Sequence, residues 1–104
     1  MEKENDKATL VLAMIRQCLE KAGSELQGRQ VVLFGSRAVG RAGARSDFDI
    51  GVTGEKPLPL DIFYRIEEDL ENLPTLFSID WVDLNRVSPE FRARALLESI
   101  VIYG

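Results

Sequence analysis

Histidine is missing from this 104-residue chain, and cysteine occurs only once. Without imidazole the chain cannot build a Ser-His-Asp or Cys-His catalytic set, and most zinc sites are excluded as well. The single thiol, Cys18, cannot form a disulfide within the chain. Acid–base chemistry and metal binding would therefore fall to carboxylates, hydroxyls and the backbone.

Long apolar runs are also missing. No stretch approaches the roughly 18 residues of a membrane-spanning helix, and residues 1–7 are charged, so we expect neither a signal peptide nor a membrane partner. Cys18 lies on the apolar face of a periodic segment, which is typical of a buried, inert thiol and suits a reducing compartment. We predict a cytoplasmic protein whose residues 1–104 form one domain.

Acidic residues outnumber basic ones, but the basic residues are concentrated locally. The 13 Lys and Arg against 17 Asp and Glu give a net charge of −4, which argues against nucleic acid as a direct partner. Residues 26–46 contain no acid and four arginines: Arg29, Arg37, Arg41 and Arg45. A positive patch confined to one short segment fits a polyphosphate better than a nucleic-acid duplex. The alternative is that these arginines simply form a solvated loop face.

Two aspartates follow this basic window at a spacing of two, in the segment Ser46-Asp47-Phe48-Asp49-Ile50. In a strand, residues two apart share a face, so Asp47 and Asp49 would point together while Phe48 points into the core. Two ionised carboxylates this close need a cation, and Mg²⁺ favours one or two carboxylates plus substrate phosphates. Upstream, Gly35-Ser36 ends an apolar run in a turn that could hold a phosphate through backbone N–H groups and a hydroxyl. The alternative is that the aspartates only cap a strand start.

Periodicity and turn residues predict an α/β protein, a small sheet with flanking helices. Ser88-Pro89-Glu90 is a strong helix start, with an N-cap serine and proline at the first helical position. The predicted order is a helix over 6–22, a strand over 30–34, a helical turn over 36–43, a strand over 47–53, a helix over 62–73, a strand over 76–84 and a last helix running to about Tyr103.

The combination of Gly35-Ser36, a basic spacer and Ser46-Asp47-Phe48-Asp49-Ile50 resembles the signature of the DNA polymerase beta-like nucleotidyltransferase superfamily. The short length points to its minimal nucleotidyltransferase (MNT) branch, and the resemblance spans residues 31–84. It implies a mixed sheet and a third carboxylate on a later strand. Asp80 matches that position better than its rival Asp83, which should lie on the opposite face. A buried Asp80 would otherwise need an arginine partner, and Arg86 and Arg94 are the candidates.

The resemblance also implies a reaction and a site. The chain would move AMP from ATP to a hydroxyl, with two Mg²⁺ ions clamping the attacking and leaving oxygens. Asp47, Asp49 and Asp80 would be the catalytic and metal-binding residues. The nucleotide would contact Gly35, Ser36, Arg37, Arg45 and Ser46. One departure affects the triphosphate contacts, because Val39 stands where many minimal members have a second arginine.

The minimal branch implies a partner as well, a HEPN-domain protein that is often a ribonuclease toxin. The chain would act as antitoxin by adding AMP to a partner tyrosine. A second hypothesis is a non-catalytic antitoxin that neutralises its HEPN partner by contact. The intact set of three acids favours the enzyme, since a pure binding module has no need of repelling carboxylates. A small-molecule nucleotidyltransferase of the aminoglycoside type would need a second domain. A homo-oligomer stays open.

Overall fold

Residues 2–43 and 46–104 are described by the structure, a computed structural model, with side chains from Lys7 onward. The helices are α1 (Glu2–Lys21), α2 (Leu60–Glu71) and α3 (Pro89–Leu97), and the strands are β1 (Gln30–Phe34), β2 (Phe48–Thr53), β3 (Ile79–Asp83) and β4 (Ile100–Tyr103). Single 3₁₀ turns follow α1, at Gly23–Leu26, and β1, at Gly35–Arg37.

The four strands form one mixed sheet in the order β3-β2-β1-β4. β1 is antiparallel to both β2 and β4, whereas β2 and β3 are parallel. A parallel pair needs a crossover connection, and α2 supplies it. As a consequence, the start of β2 and the start of β3 meet at the same end of the sheet, where β1 ends. The predicted α/β class with a small mixed sheet and flanking helices is confirmed.

The two faces of the sheet are covered unequally. On one face of the sheet, every second residue of β1 and β2, such as Leu33, Phe48 and Ile50, packs against α1 and α2 in the larger core. On the other face, Val32 and Phe34 pack against Ala95 of α3 in a smaller cluster. Residues near the start of β2 that face the α3 side therefore lie beside a thin cover and remain accessible.

The predicted last helix is wrong in its second half. Its start is confirmed, since Pro89 is the first helical residue and the Ser88 hydroxyl accepts a hydrogen bond from the amide of Phe91 at 3.1 Å. The helix ends at Leu97, however, and residues 100–103 form β4. This run of β-branched and aromatic side chains suits a strand, and it pairs with the outer edge of β1.

The third strand is shorter than its prediction of 76–84. It begins at Ile79, and Leu76 lies fully exposed in the segment before it.

The predicted burial of Cys18 is confirmed. Among the described helices, none combines the length and the apolar character needed to cross a membrane.

Candidate active site

Asp49 and Asp80 lie side by side on the parallel strands β2 and β3. They are partners in the strand register, and the charge of Asp80 acts on the Asp49 carboxyl group. The pairing follows from the topology, since each aspartate is the second residue of its strand and both strands start at the same end of the sheet. Both side chains face the α3 side, opposite Phe48 and Trp81. The structure thus brings together two of the three acids that the sequence singles out.

This pairing changes the acidity of Asp49. Burial raises the pKa of its carboxyl group, and the charges of Asp80 and Asp47 and the hydrogen bond with Asp80 raise that pKa further. A carboxylate whose ionised form is disfavoured by two neighbouring acids is a site where a cation would be strongly favoured. The electrostatics of this end of the sheet therefore favour binding of a positive charge.

Gly35 makes close approach to the Asp49 carboxylate, and its backbone explains why a glycine stands there. Its φ of 75° lies in the left-handed region, which side chains disfavour. A side chain built at Gly35 would overlap the Asp49 carboxylate. The missing side chain thus leaves the backbone of the Gly35–Arg37 turn directly against a carboxylate of the site. A phosphate bound by this turn would lie within reach of a cation held at Asp49.

Asp47 lies at the rim of this group. It precedes β2 and is exposed, and its charge acts on both Asp49 and Arg37. In the segment just before it, the Ser46 hydroxyl accepts a hydrogen bond from the amide of Gly43 at 2.9 Å. Within the described residues, no three Asp, Glu, Cys or His side chains already form a metal cage. Mg²⁺ does not require one, because it often takes one or two carboxylates and completes its shell with water and phosphate oxygens.

Arg37 has contacts that its predicted role as a phosphate ligand does not anticipate. Its guanidinium carbon lies over the ring of Phe48, 4.2 Å from the ring centroid, and over the ring of Phe77 at 5.0 Å. Its Nε donates to the carbonyl of Ser46 at 2.9 Å. Burial lowers its pKa, an effect that Asp47 partly offsets. The sequence contains one indication of this arrangement. Phe48 lies between Asp47 and Asp49 in the chain, and Phe77 lies three residues before Asp80.

The predicted patch of four arginines is not a single patch. Arg29 lies at the other end of β1, where Gln30 pairs with Thr53, and it donates to the carbonyls of Lys56 and Pro57 at 2.6 and 3.3 Å. Its prediction as part of the positive window beside the acids is therefore wrong, because a five-residue strand separates it from the Gly35 turn. Arg45, predicted to contact the nucleotide, lies outside the described residues.

Asp80 and Asp83 occupy opposite faces of β3, as predicted. The expectation that Asp80 would be buried is wrong, since it is exposed beside Asp49. Asp83 is the buried acid, at 4% exposure, and its carboxylate accepts the amides of Leu58 at 2.7 Å and Asn85 at 2.9 Å. Arg86 lies 3.6 Å from Asp83 and not beside Asp80. Asp83 therefore has its partners within the fold, whereas Asp80 points to solvent.

A groove of about 760 Å³ adjoins the acids on the α1 side. It lies between α1 and residues 74–78, and Asp47 forms part of its wall. Most of its lining is apolar, and two of its side chains, Leu10 and Leu76, are well exposed at 61% and 105%. Asp47 thus belongs both to the acidic group and to an apolar surface.

Comparison with known sequences defines the class of protein. The sequence profile of the family described as polymerase beta, nucleotidyltransferase, matches residues 16–104, which include the Gly35 turn, all three acids and the four strands. The chain therefore belongs to the polymerase beta nucleotidyltransferase family, and the superfamily resemblance in its sequence is confirmed. A search of curated protein sequences finds no significant match.

Solved structures show the same fold. A toxin–antitoxin structure with AMP-PNP aligns with a TM-score of 0.68 at 21% identity, covering 89% of this chain and 73% of the other. A structure of a tri-AMPylated Shewanella oneidensis HEPN toxin with an MNT antitoxin aligns at 0.61 and 18% identity, covering 89% and 72%. A protein assigned as a minimal nucleotidyltransferase aligns at 0.56 and 27%, covering 85% and 88%. The predicted likeness to the minimal branch is confirmed.

Replacing Gly35 tests the close approach between the turn and Asp49. Gly35→Ala and Gly28→Ala both force a side chain into the left-handed region, with φ values of 75° and 77°, at a cost of roughly 1–2 kcal/mol each. Only the methyl group at Gly35 meets Asp49, because Gly28 faces open space. We expect Gly35→Ala to lose at least as much unfolding free energy in urea as Gly28→Ala. MgATP affinity should fall at least about tenfold, or 1.4 kcal/mol, in Gly35→Ala alone. Equal MgATP affinity in both variants would show that the turn plays no part in binding.

The raised pKa of Asp49 predicts a pH-dependent instability in metal-free buffer. The folded state keeps the Asp49 proton at pH values where the unfolded chain has lost it, so ionisation of this group lowers stability as pH rises through its folded pKa. The free energy of unfolding of Asp49→Asn, minus that of the parent, should therefore grow with pH between the unfolded and the folded pKa of Asp49. Above the folded pKa the difference should level off. Urea unfolding with a chelator present measures it, with the exposed α2 acid Asp61→Asn as control. A difference that stays constant with pH contradicts the raised pKa of Asp49.

Proposed function

We propose that this chain is a Mg²⁺-dependent nucleotidyltransferase that moves AMP from ATP to a hydroxyl, most suitably a tyrosine, of a HEPN-domain partner and thereby acts as its antitoxin. The observation that carries the proposal is the in-register pair Asp49 and Asp80, with the backbone of Gly35 against Asp49. Family membership supports the reaction class, and residues 1–104 would act as one nucleotidyltransferase domain.

The residues present fit Mg²⁺ as the cofactor. Asp47, Asp49 and Asp80 are hard oxygen donors, and burial together with the charges of Asp80 and Asp47 raises the pKa of Asp49, a cost that a divalent cation would relieve. Asp47 and Asp49 would hold the ion, or two ions, together with phosphate oxygens, and Asp80 would complete the site on the acceptor side. The bound metal would neutralise charge on the phosphates and on the leaving pyrophosphate.

The remaining steps fall to the chain's own groups. The Gly35–Arg37 turn would bind the β- and γ-phosphates through its first N–H groups and the Ser36 hydroxyl, since the first amides of a helical turn have no intrahelical partner. Ser46 and Arg45 would also contact the nucleotide. Asp80 would accept the proton of the acceptor hydroxyl while the oxygen of that hydroxyl bonds to the α-phosphorus. The bond from that phosphorus to the β-phosphate then breaks, and pyrophosphate leaves.

The partner is proposed from the solved relatives. One similar structure is a toxin–antitoxin structure with AMP-PNP, and another holds an AMPylated HEPN toxin with an MNT antitoxin. Those descriptions concern other proteins of 21% and 18% identity, and we extend them to this chain as part of the proposal. The exposed position of Asp80 supports it, because an acceptor on a separate molecule can approach this carboxylate from solvent.

The alternative is a binding subunit that neutralises a HEPN partner by contact alone. The groove beside Asp47 favours it, since Leu10 and Leu76 expose apolar surface there without catalytic need. The enzyme remains the better explanation of the acids, because a contact surface gains nothing from placing Asp80 against the partly buried Asp49.

Asp80→Asn separates the two functions. In the enzyme, loss of this ligand and proton acceptor should slow AMP transfer by about 10²- to 10⁴-fold while Asp47 and Asp49 keep ATP bound. The measurement is the intact mass of a co-expressed or co-purified HEPN-domain partner after incubation with ATP and Mg²⁺, and Asp61→Asn serves as control. An added AMP with the parent and the control, but not with Asp80→Asn, is the expected result. An unmodified partner with the parent, still neutralised when Asp80→Asn is used, would instead support the binding subunit.

A further inference from the structure

Three separate chain segments supply the proposed site, and Arg37 contacts a residue in or beside each of them. It belongs to the turn that begins with Gly35, and its Nε donates to the carbonyl of Ser46, the residue before Asp47. Its guanidinium stacks on Phe48, which separates Asp47 from Asp49 in the chain. The third contact is Phe77, three residues before Asp80, at 5.0 Å.

These contacts lie on the opposite side of the sheet from Asp49 and Asp80. Phe48 belongs to the core formed with α1 and α2, and Phe77 packs against the same core. The two rings meet edge to face with centroids 5.5 Å apart, so Arg37 covers a pair of rings that already joins the start of β2 to the segment before β3. A planar guanidinium can stack on rings and donate a hydrogen bond at its edge at the same time, which an ammonium cannot do equally well.

Three contacts hold the guanidinium of Arg37 on this side of the sheet. It is half-buried, and among the described residues its Nη2 is enclosed without a hydrogen-bond acceptor. Turning toward a phosphate at the Gly35 turn would require it to leave both rings and the Ser46 carbonyl. The direct role as phosphate ligand, predicted from the sequence, is therefore the weaker assignment for this side chain.

We propose that Arg37 is a positioning residue, whose cation–π contacts with Phe48 and Phe77 and hydrogen bond to Ser46 fix the distance between the Gly35–Ser36 turn and the aspartates. Its effect on the nucleotide is indirect and passes through the aromatic pair. The nucleotide part of this inference rests on the proposed function, whereas the ordering of the turn by Arg37 does not.

A double-mutant cycle distinguishes positioning from direct contact. Arg37→Met keeps an apolar chain of similar length but removes the stack and the hydrogen bond, and Phe77→Leu removes one ring. Each should weaken MgATP binding, Arg37→Met by about tenfold, which is 1.4 kcal/mol. The double variant should bind within about twofold of Arg37→Met, because coupled residues are not additive. Calorimetry is done well below the unfolding temperature of each variant, and Arg16→Met, an exposed charge on α1, is the control.

Two results of the cycle would overturn the proposal. Fully additive losses would mean that Arg37 contacts the phosphates on its own. An unchanged MgATP affinity in folded Arg37→Met would mean that the stack serves stability alone. If Arg37→Met does not fold, Arg37→Lys replaces it in the same cycle, with a loss expected because the ammonium of lysine cannot contact both rings and donate to Ser46 as a guanidinium does.

A readout without nucleotide keeps this inference separate from the proposed function. The amides of Ala38 and Arg41 donate to the carbonyls of Gly35 and Ser36 at 3.1 and 2.9 Å, so they report directly on the turn. Their hydrogen exchange, followed by NMR in the absence of ATP, should accelerate at least about tenfold in Arg37→Met and Phe77→Leu but not in Arg16→Met. A parent that fails to bind MgATP refutes the proposed function, yet accelerated exchange would still support positioning. Unchanged hydrogen exchange of these amides in Arg37→Met and Phe77→Leu refutes the positioning role of Arg37.

Discussion

The repulsion between Asp49 and Asp80 is the constraint on which the rest of the site depends. Burial disfavours the ionised form of Asp49, and the charge of Asp80, its register partner on the adjacent parallel strand, adds to the cost. The fold tolerates this because the rest of the sheet is well packed and the acids lie at one end of it, beside the thin cover of α3. A residue pair that disfavours the fold by itself is best understood as serving a ligand of opposite charge.

The two sides of the sheet contribute differently to this pair. On the α3 side, the bare backbone of Gly35 leaves space against the Asp49 carboxylate that any other residue would fill. On the other side, Phe48 is anchored in the core and carries the guanidinium of Arg37. Asp83 shows the contrast within a single strand, because two backbone amides satisfy its buried carboxylate and leave it no free role. Strand alternation thus separates a structural acid from a candidate catalytic one three residues away.

Local patterns in the sequence predict the features that depend on a few neighbouring residues. Strand alternation places Asp49 opposite Phe48, and Ser88-Pro89 marks the start of α3. Features decided by distant partners are not predictable in this way. Residues 100–103 continue the apolar pattern of α3 but form β4 because the edge of β1 is available to pair with them. Composition likewise groups Arg29 with Arg37, although β1 separates them and only Arg37 meets the aromatic pair.

The central claim is that the aspartates and the Gly35 turn form one site for a metal and a nucleoside triphosphate. Titration calorimetry of ATP with and without Mg²⁺ tests it most directly, using the parent and the double variant Asp47→Asn/Asp49→Asn. The account predicts that Mg²⁺ strengthens ATP binding to the parent by at least about tenfold, or 1.4 kcal/mol, and that the double variant loses this Mg²⁺-dependent gain. Equal ATP affinity with and without Mg²⁺, or an undiminished gain in the double variant, would contradict it.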